Sequence, residues 1–147
     1  MMPWFLFLGN VIFMVGVTRW RPVGGVTLLI LSLPSYVVRT TVFGIPVTLL
    51  EAGVVGFLLA SLWHFRPEIL KWRPRGLLPW LVILWLLAGT TAVLVSPDLR
   101  GALGSWRAFI VEPVLVAIAA RAIMRREPDG RPIVWGFVAL TIIQAVI

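Results

Sequence analysis

Two carboxylates and two arginines stand in apolar surroundings and could do chemistry together. Glu51 and Glu112 each lie inside an apolar run, and Arg39 and Arg107 precede them by twelve and five residues. A carboxylate within a membrane segment is costly unless it is neutral, paired or exposed to water. These carboxylates could carry protons, bind a substrate or form static ion pairs with the arginines. We expect static pairing that fixes helix packing.

The two arginines have an additional chemistry available to them. A guanidinium fork matches the oxygens of a phosphate, so Arg39 and Arg107 are candidates for binding a phosphate or a diphosphate. The alternative is that each arginine only extends to the membrane interface. The sequence alone leaves both readings open.

The composition indicates that the bilayer is the solvent of this chain. Of its 147 residues, 60% are hydrophobic and 13% are charged, which is more apolar than a soluble domain of this size needs. The net charge of +7 comes from basic residues in short stretches between apolar runs, which argues against a nucleic-acid partner. With no cysteine and one histidine, the sequence predicts no metal site, no Ser-His-Asp set and no cofactor.

Six apolar runs predict an all-α fold, a polytopic transmembrane helix bundle in one domain that covers residues 1–147. The first run would reach only roughly 22 Å, short of a hydrocarbon core of ~30 Å, so the number of spans is five if it does not cross. Pro46 is expected in the first turn of the third span, where proline costs least. The predicted spans are 4–18, 23–38, 45–63, 77–95, 103–124 and 132–147.

Small residues recur every four positions along the third predicted span. Ala52, Gly56 and Ala60 continue a stripe that begins at Thr48. Such a stripe lets a second helix approach closely. We therefore interpret these positions as helix-packing residues.

The distribution of basic residues predicts an orientation. Ten of the thirteen fall on one side of the predicted spans, in the stretches 19–21, 66–75 and 121–131, whereas Arg39, Arg100 and Arg107 fall on the other. The richer side is expected in the cytoplasm, so the N-terminus and the candidate residues are expected outside. The basic stretch between the third and fourth spans would lie against anionic lipid headgroups. Its basic residues are Arg66, Lys71, Arg73 and Arg75.

Two longer stretches carry motifs. LPSYVVRTTVFGIPVTLLE covers 33–51, and SPDLRGALGSWRAFIVEPVL covers 96–115. Together they resemble the N-terminal portion of bacterial O-antigen ligase and O-antigen polymerase-like membrane proteins. Val47 interrupts the Gly-Ile-Pro-Thr motif of that family, and Arg107 stands at a lysine position, which keeps the positive charge. The matching positions are Leu33, Pro34, Tyr36, Arg39, Gly44, Ile45, Pro46, Thr48, Leu49, Leu50 and Glu51, then Leu103, Gly104, Arg107, Glu112 and Pro113.

The resemblance implies a multi-pass glycosyltransferase of the bacterial inner membrane. Such enzymes move a glycan from an undecaprenyl-diphosphate carrier to an acceptor on the extracytoplasmic face, in lipopolysaccharide and other cell-surface polysaccharide biosynthesis. Family members are longer, and their functional arginines and a histidine lie in later outer loops. The resemblance therefore implies an N-terminal fragment that is inactive alone, with unknown catalytic residues. Its partners would be the lipid-linked glycan, the anionic bilayer and other membrane proteins.

Two alternatives from other functional classes stay open. A small transporter would use Glu51 or Glu112 as a proton or cation site. A non-enzymatic membrane subunit would pack against a partner through the stripe around Gly56. The glycan, its acceptor, the choice between ligase and polymerase, and the oligomeric state are not encoded in any recognisable pattern.

Overall fold

The computed structural model describes residues 4–42, 45–70 and 76–146, and most of them are helical. A 3-10 turn (Leu33–Val37) and a hairpin of β1 (Arg39–Val42) and β2 (Ile45–Thr48) precede the third helix, and a π-helical segment (Arg107–Val111) precedes the sixth. The α-helices are α1 (Trp4–Trp20), α2 (Pro22–Leu31), α3 (Leu49–Leu70), α4 (Leu78–Leu94), α5 (Leu99–Trp106), α6 (Glu112–Arg126) and α7 (Arg131–Val146).

The predicted polytopic bundle of about six spans is wrong, although the helical class is right. Among the described residues, α3 is the one helix that is both long and apolar enough to cross a membrane. It has 22 residues, whereas α1 and α4 have 17 each and α2 has 10. The apolar runs are interrupted by features that hydropathy does not register: the 3-10 turn with Pro34 follows α2, and the π-helical segment and Pro113 divide the run 103–124.

The beginning of the third predicted span is a hairpin and not a helix. The strands β1 and β2 are antiparallel, with Arg39 opposite Thr48. Pro46 lies in β2 and not in a first helical turn, and a two-stranded ribbon has only edge strands, where a missing N–H is tolerated. Helix α3 therefore begins at Leu49, and Glu51 lies in its first turn instead of six residues inside the span.

The small-residue face of α3 packs against α1 of the same chain. Ala52 and Ala60 are buried, and a Cβ added to Gly56 would lie 2.5 Å from the Val11 carbonyl oxygen and 2.9 Å from Met14 Cβ. Only glycine allows the two backbones to come this close. The stripe is thus covered within the described chain, which argues against a subunit that uses it to hold a partner.

Helices α1 and α3 run in the same direction. The Asn10 side-chain amide donates to the Leu49 carbonyl at 2.8 Å, and Val11, further along α1, lies at Gly56, further along α3. Helix α3 bends near its end, where Phe65 has φ −117° and ψ 19° and Pro67 follows. Proline is the usual cause of such a bend because its ring crowds the preceding turn.

A core forms where α1, α2, α3 and α6 meet. Its largest fully buried apolar side chains are Phe57, Phe65, Met14 and Ile123. Thr18 and Ser61 are also fully buried, and their hydroxyls have no hydrogen-bond partner within the described residues.

Outside this core, large apolar side chains face outward. Trp20 is 83% exposed and Trp63 is 79% exposed. Most of α4 is exposed as well, with Leu84, Trp85 and Leu87 among its outward side chains. Contiguous apolar surface of this extent is typical of proteins that meet lipid or a partner.

Candidate functional site

One arginine joins the two carboxylates that the sequence analysis selected. Arg107 Nη2 lies 2.8 Å from Glu51 Oε1, and Arg107 Nε lies 3.3 Å from Glu112 Oε1. Glu51 comes from the first turn of α3, Arg107 from the π-helical segment and Glu112 from the start of α6. We call these three residues the Arg107 cluster.

Glu51 is held in place by a capping box with Thr48. The Thr48 N–H donates to Glu51 Oε2 at 3.0 Å, and the Glu51 N–H donates to Thr48 Oγ1 at 3.1 Å. This reciprocal pair satisfies two backbone donors at the start of a helix, and the helix dipole favours a carboxylate there. This role was not predicted from the sequence, although Thr-x-x-Glu before an apolar run is the known signal of a capping box.

The π-helical segment has a local cause in Pro113. Proline has no N–H to donate to the carbonyl four residues earlier, that of Phe109, and its ring crowds that carbonyl. The chain accommodates this with a wider turn in which the Glu112 N–H donates to the Arg107 carbonyl, five residues earlier. Such widened turns change which side chains share a helix face and recur at functional sites. Here Arg107 and Glu112, five residues apart, form an ion pair.

The Arg107 cluster carries one more negative than positive charge when both carboxylates are ionised. The side chain of Arg107 is 42% exposed, whereas those of Glu51 and Glu112 are 13% and 16% exposed. The contact between Arg107 Nε and Glu112 is close enough for an ion pair, but it is not aligned as a hydrogen bond. The Glu51 contact is therefore the stronger one, and Arg107 keeps part of its fork accessible.

Arg39 lies beside the Arg107 cluster without belonging to it. It is exposed and stands opposite Thr48 in the hairpin, so it is one strand away from the capping box. Among the described residues, the ion pairs of the carboxylates at this end are made by Arg107. Of the two arginines proposed for diphosphate, the structure thus brings one into contact with the carboxylates and places the other nearby.

The other end of α3 carries a second ion pair, which sequence analysis did not single out. Arg126 Nε lies 3.1 Å from Glu68 Oε1, and the Arg126 guanidinium carbon lies 5.6 Å from the centre of the Phe65 ring. The third predicted span ends at residue 63, but α3 continues to Leu70 and includes Glu68. Helices α3 and α6 therefore run in parallel, joined by an ion pair at each end.

The charges of the described residues are unequal at the two ends of α3. At the Glu51 end, three arginines accompany three carboxylates, and at the Glu68 end seven arginines accompany three carboxylates. Of the remaining basic residues, Lys71, Arg73 and Arg75 lie outside the described residues. The arginines at the Glu68 end are Arg19, Arg21, Arg66, Arg121, Arg125, Arg126 and Arg131.

In residues 4–42, 45–70 and 76–146, no three His, Asp or Glu side chains lie close enough together to hold a metal ion. No family model, no curated protein and no solved structure matches this chain. The resemblance to the O-antigen ligase family stays a prediction that rests on the motifs at 33–51 and 96–115.

Proposed function

We propose that this chain is the N-terminal part of an O-antigen ligase-like membrane glycosyltransferase, which takes its glycan from an undecaprenyl-diphosphate carrier. It resides in a bacterial inner membrane, which α3 crosses, with the Glu51 end on the extracytoplasmic face. The Arg107 cluster helps to hold the carrier diphosphate. The catalytic residues lie in later parts of the enzyme, so the chain binds the carrier but is inactive by itself.

One observation carries this proposal. The two motifs that resemble the family lie far apart in sequence, yet Glu51 of the first and Arg107 of the second are 2.8 Å apart. Residues that build one site must come together in the fold, whereas unrelated matches have no reason to meet. The proximity of the two motifs therefore supports a shared role.

The charge distribution supports the proposed orientation. Among the described residues, arginines outnumber carboxylates at the Glu68 end, whereas the two are equal in number at the Glu51 end. Arginine-rich segments stay in the cytoplasm during membrane insertion. The lipid-linked glycan would then meet the Arg107 cluster on the opposite face.

In this proposal each residue of the cluster has a distinct role. Glu51, fixed by the capping box, holds one end of the Arg107 fork at 2.8 Å. Glu112 limits the rotation of the same side chain at the start of α6. The exposed part of Arg107, together with the exposed Arg39, then presents positive charge to a diphosphate. The two carboxylates orient Arg107 and do not contact the carrier.

Binding of the carrier to the purified, detergent-solubilised chain tests this proposal. Undecaprenyl diphosphate and undecaprenyl monophosphate are titrated separately, with native mass spectrometry as the readout. We expect preference for the diphosphate and a loss of affinity of about tenfold in Arg107→Gln, the effect of one charge-assisted hydrogen-bonded contact. Arg100→Gln is the matched control because Arg100 is also exposed at the Glu51 end but lies outside the cluster.

Two results would overturn the proposal. One is the absence of measurable binding of undecaprenyl diphosphate to the folded chain. The other is an equal loss of affinity in Arg107→Gln and Arg100→Gln, because the binding would then reflect general attraction to positive charge.

The charge balance of the cluster favours a transporter as the second candidate. Two carboxylates share one guanidinium, so one negative charge in the cluster is not neutralised. That charge can be neutralised by binding a proton or a cation. Flux through the reconstituted chain would then depend on pH and would be lost in Glu51→Gln and Glu112→Gln. Carrier binding without such flux favours the glycosyltransferase, and the converse favours the transporter.

A further inference from the structure

A shallow cleft lies between α3 and α6 at the arginine-rich end, away from the Arg107 cluster. Its lining consists of Glu68, Ile118, Arg121, Ala122 and Arg125. The space inside is about the size of one water molecule. The floor is therefore able to take a single small polar group, while a larger group would remain at the rim.

Glu68, which lines this cleft, has an unused hydrogen-bond acceptor. One carboxylate oxygen, Oε1, lies 3.1 Å from Arg126. The other, Oε2, is buried and has no hydrogen-bond partner within the described residues. A buried acceptor without a partner is costly, and a carboxylate oxygen is best satisfied by a charged N–H donor.

The rim of the cleft has the opposite charge. Arg121 and Arg125 are exposed and stand one turn apart on α6, where like charges repel. An anion between the two guanidinium groups would remove this repulsion, and a phosphate suits them because it can accept from both. The lining of the cleft thus combines an acceptor that suits a cation with two arginines that suit a phosphate.

The surroundings of the cleft suit the headgroup region of a membrane. Trp20, Trp63 and Trp135 are all more than two-thirds exposed. Trp20 ends α1, Trp63 lies in the second half of α3 and Trp135 lies near the beginning of α7. Arg21 packs over the Trp20 ring at 5.6 Å. Exposed tryptophan and arginine at one end of an apolar helix bundle are typical of a membrane–water interface.

From these contacts we infer that the cleft binds the headgroup of a phospholipid that carries a primary ammonium, as in phosphatidylethanolamine. The ammonium donates to Glu68 Oε2 at the floor, and the phosphate lies between Arg121 and Arg125. A trimethylammonium group has no N–H and exceeds the space at the floor. A glycerol headgroup has donors but no positive charge for the carboxylate. The site is remote from the Arg107 cluster, so the inference rests on the membrane location in the proposed function but not on carrier binding.

The test compares three lipids that share acyl chains and differ in their headgroup. Phosphatidylethanolamine, phosphatidylcholine and phosphatidylglycerol are each titrated into the full detergent-solubilised chain, and bound lipid is counted by native mass spectrometry. We expect phosphatidylethanolamine to bind about tenfold more tightly than phosphatidylcholine, as one charge-assisted hydrogen bond allows. Glu68→Gln should abolish this preference, so that phosphatidylethanolamine binds only as weakly as phosphatidylcholine does.

Two variants separate the phosphate contact from general charge. The double variant Arg121→Gln/Arg125→Gln should weaken the binding of phosphatidylethanolamine, whereas Arg131→Gln, at the same end but outside the cleft, should not. Circular dichroism establishes that each variant remains helical, and Arg126→Gln, which frees the other oxygen of Glu68, keeps the test informative if Glu68→Gln fails to fold. In Arg126→Gln the preference for phosphatidylethanolamine should persist.

Three outcomes would overturn the inference. Tighter binding of phosphatidylglycerol than of phosphatidylethanolamine would mean that the arginines attract anionic lipid without using Glu68. Equal binding of phosphatidylethanolamine and phosphatidylcholine would mean that the ammonium is not recognised. If Arg131→Gln weakened the binding of phosphatidylethanolamine as much as the double variant does, the lipid would not be bound in the cleft.

Discussion

Two glycines of α3 allow the packing of α1 on α3 to be measured by a matched pair of substitutions. Gly56→Ala places a methyl group where the nearest atoms are the Val11 carbonyl oxygen at 2.5 Å and Met14 Cβ at 2.9 Å. Gly53→Ala, one turn earlier, meets its nearest atoms, on Asn10, Leu29 and Met14, at 3.7–3.8 Å, which is ordinary van der Waals contact. The two variants therefore differ in packing and not in chemistry.

The expected change in the free energy of unfolding follows from two opposing contributions. Replacing glycine by alanine inside a helix stabilises the folded chain by about 0.5–1 kcal/mol, and this gain applies at both positions. Overpacking at Gly56 costs about 1–3 kcal/mol because the backbone of Val11 must move. We expect Gly53→Ala to raise the free energy of unfolding by about 0.5–1 kcal/mol, and Gly56→Ala to lower it by about 1–2 kcal/mol.

Equilibrium unfolding of the detergent-solubilised chain, followed by circular dichroism, measures both values under the same conditions. The common gain in helix propensity cancels in the comparison, so the difference between the variants reports the α1–α3 contact alone. If Gly56→Ala and Gly53→Ala changed stability by the same amount and in the same direction, α1 would not approach α3 as closely as the structure has it.

The other predictions concern polar groups of the same helices. Arg107→Gln should lower the free energy of unfolding by about 1–3 kcal/mol because two largely buried carboxylates lose their cation, and adding Glu112→Gln should recover part of the loss. Chemical denaturation of both variants measures the two values, and the absence of any recovery would contradict the ion pair. Thr48→Ala should cost about 1 kcal/mol through loss of the capping box, while Thr48→Ser should behave like the natural chain in thermal unfolding. Ser61→Ala should leave thermal stability unchanged or raise it by about 1 kcal/mol, since the Ser61 hydroxyl is buried and has no partner among the residues that the structure describes; a clear loss would mean that the hydroxyl has one.

Short capping signals in the sequence mark where helices begin, whereas hydropathy overestimates how long the helices are. Asp98 caps α5 by accepting from the Gly101 N–H at 3.1 Å, and Ser-Pro-Asp directly before a helix is a local signal for such a cap. The length of α2 was overestimated because its apolar run continues through a 3-10 turn with Pro34. Apolar composition registers burial or lipid contact, but the backbone conformation depends on proline and on strand pairing as well.

The residues of the candidate site could be predicted from the sequence, but the contacts between them could not. Glu51 and Glu112 stood out because charges are rare in apolar runs, and Arg39 and Arg107 were equally suitable partners for them. The selection of Arg107 depends on the parallel arrangement of α3 and α6 and on the widened turn before Pro113, and spacing in the sequence does not encode either. The capping role of Thr48 was encoded locally and was overlooked because Glu51 was considered only as a charge inside a span.

The ion pairs at the two ends of α3 also set the length of the apolar helix between them. Glu51 and Glu68 are separated by seventeen residues, which corresponds to roughly 26 Å of helix, and the bend near Phe65 shortens this further. That distance is somewhat less than an average hydrocarbon core of ~30 Å, and neither ion pair gains from entering the core. If α3 crosses a bilayer as proposed, the chain should be most stable in a thin bilayer and should compress a thicker one around itself. Acyl-chain length would then act on its stability directly, as hydrophobic mismatch, whatever headgroups the lipids carry.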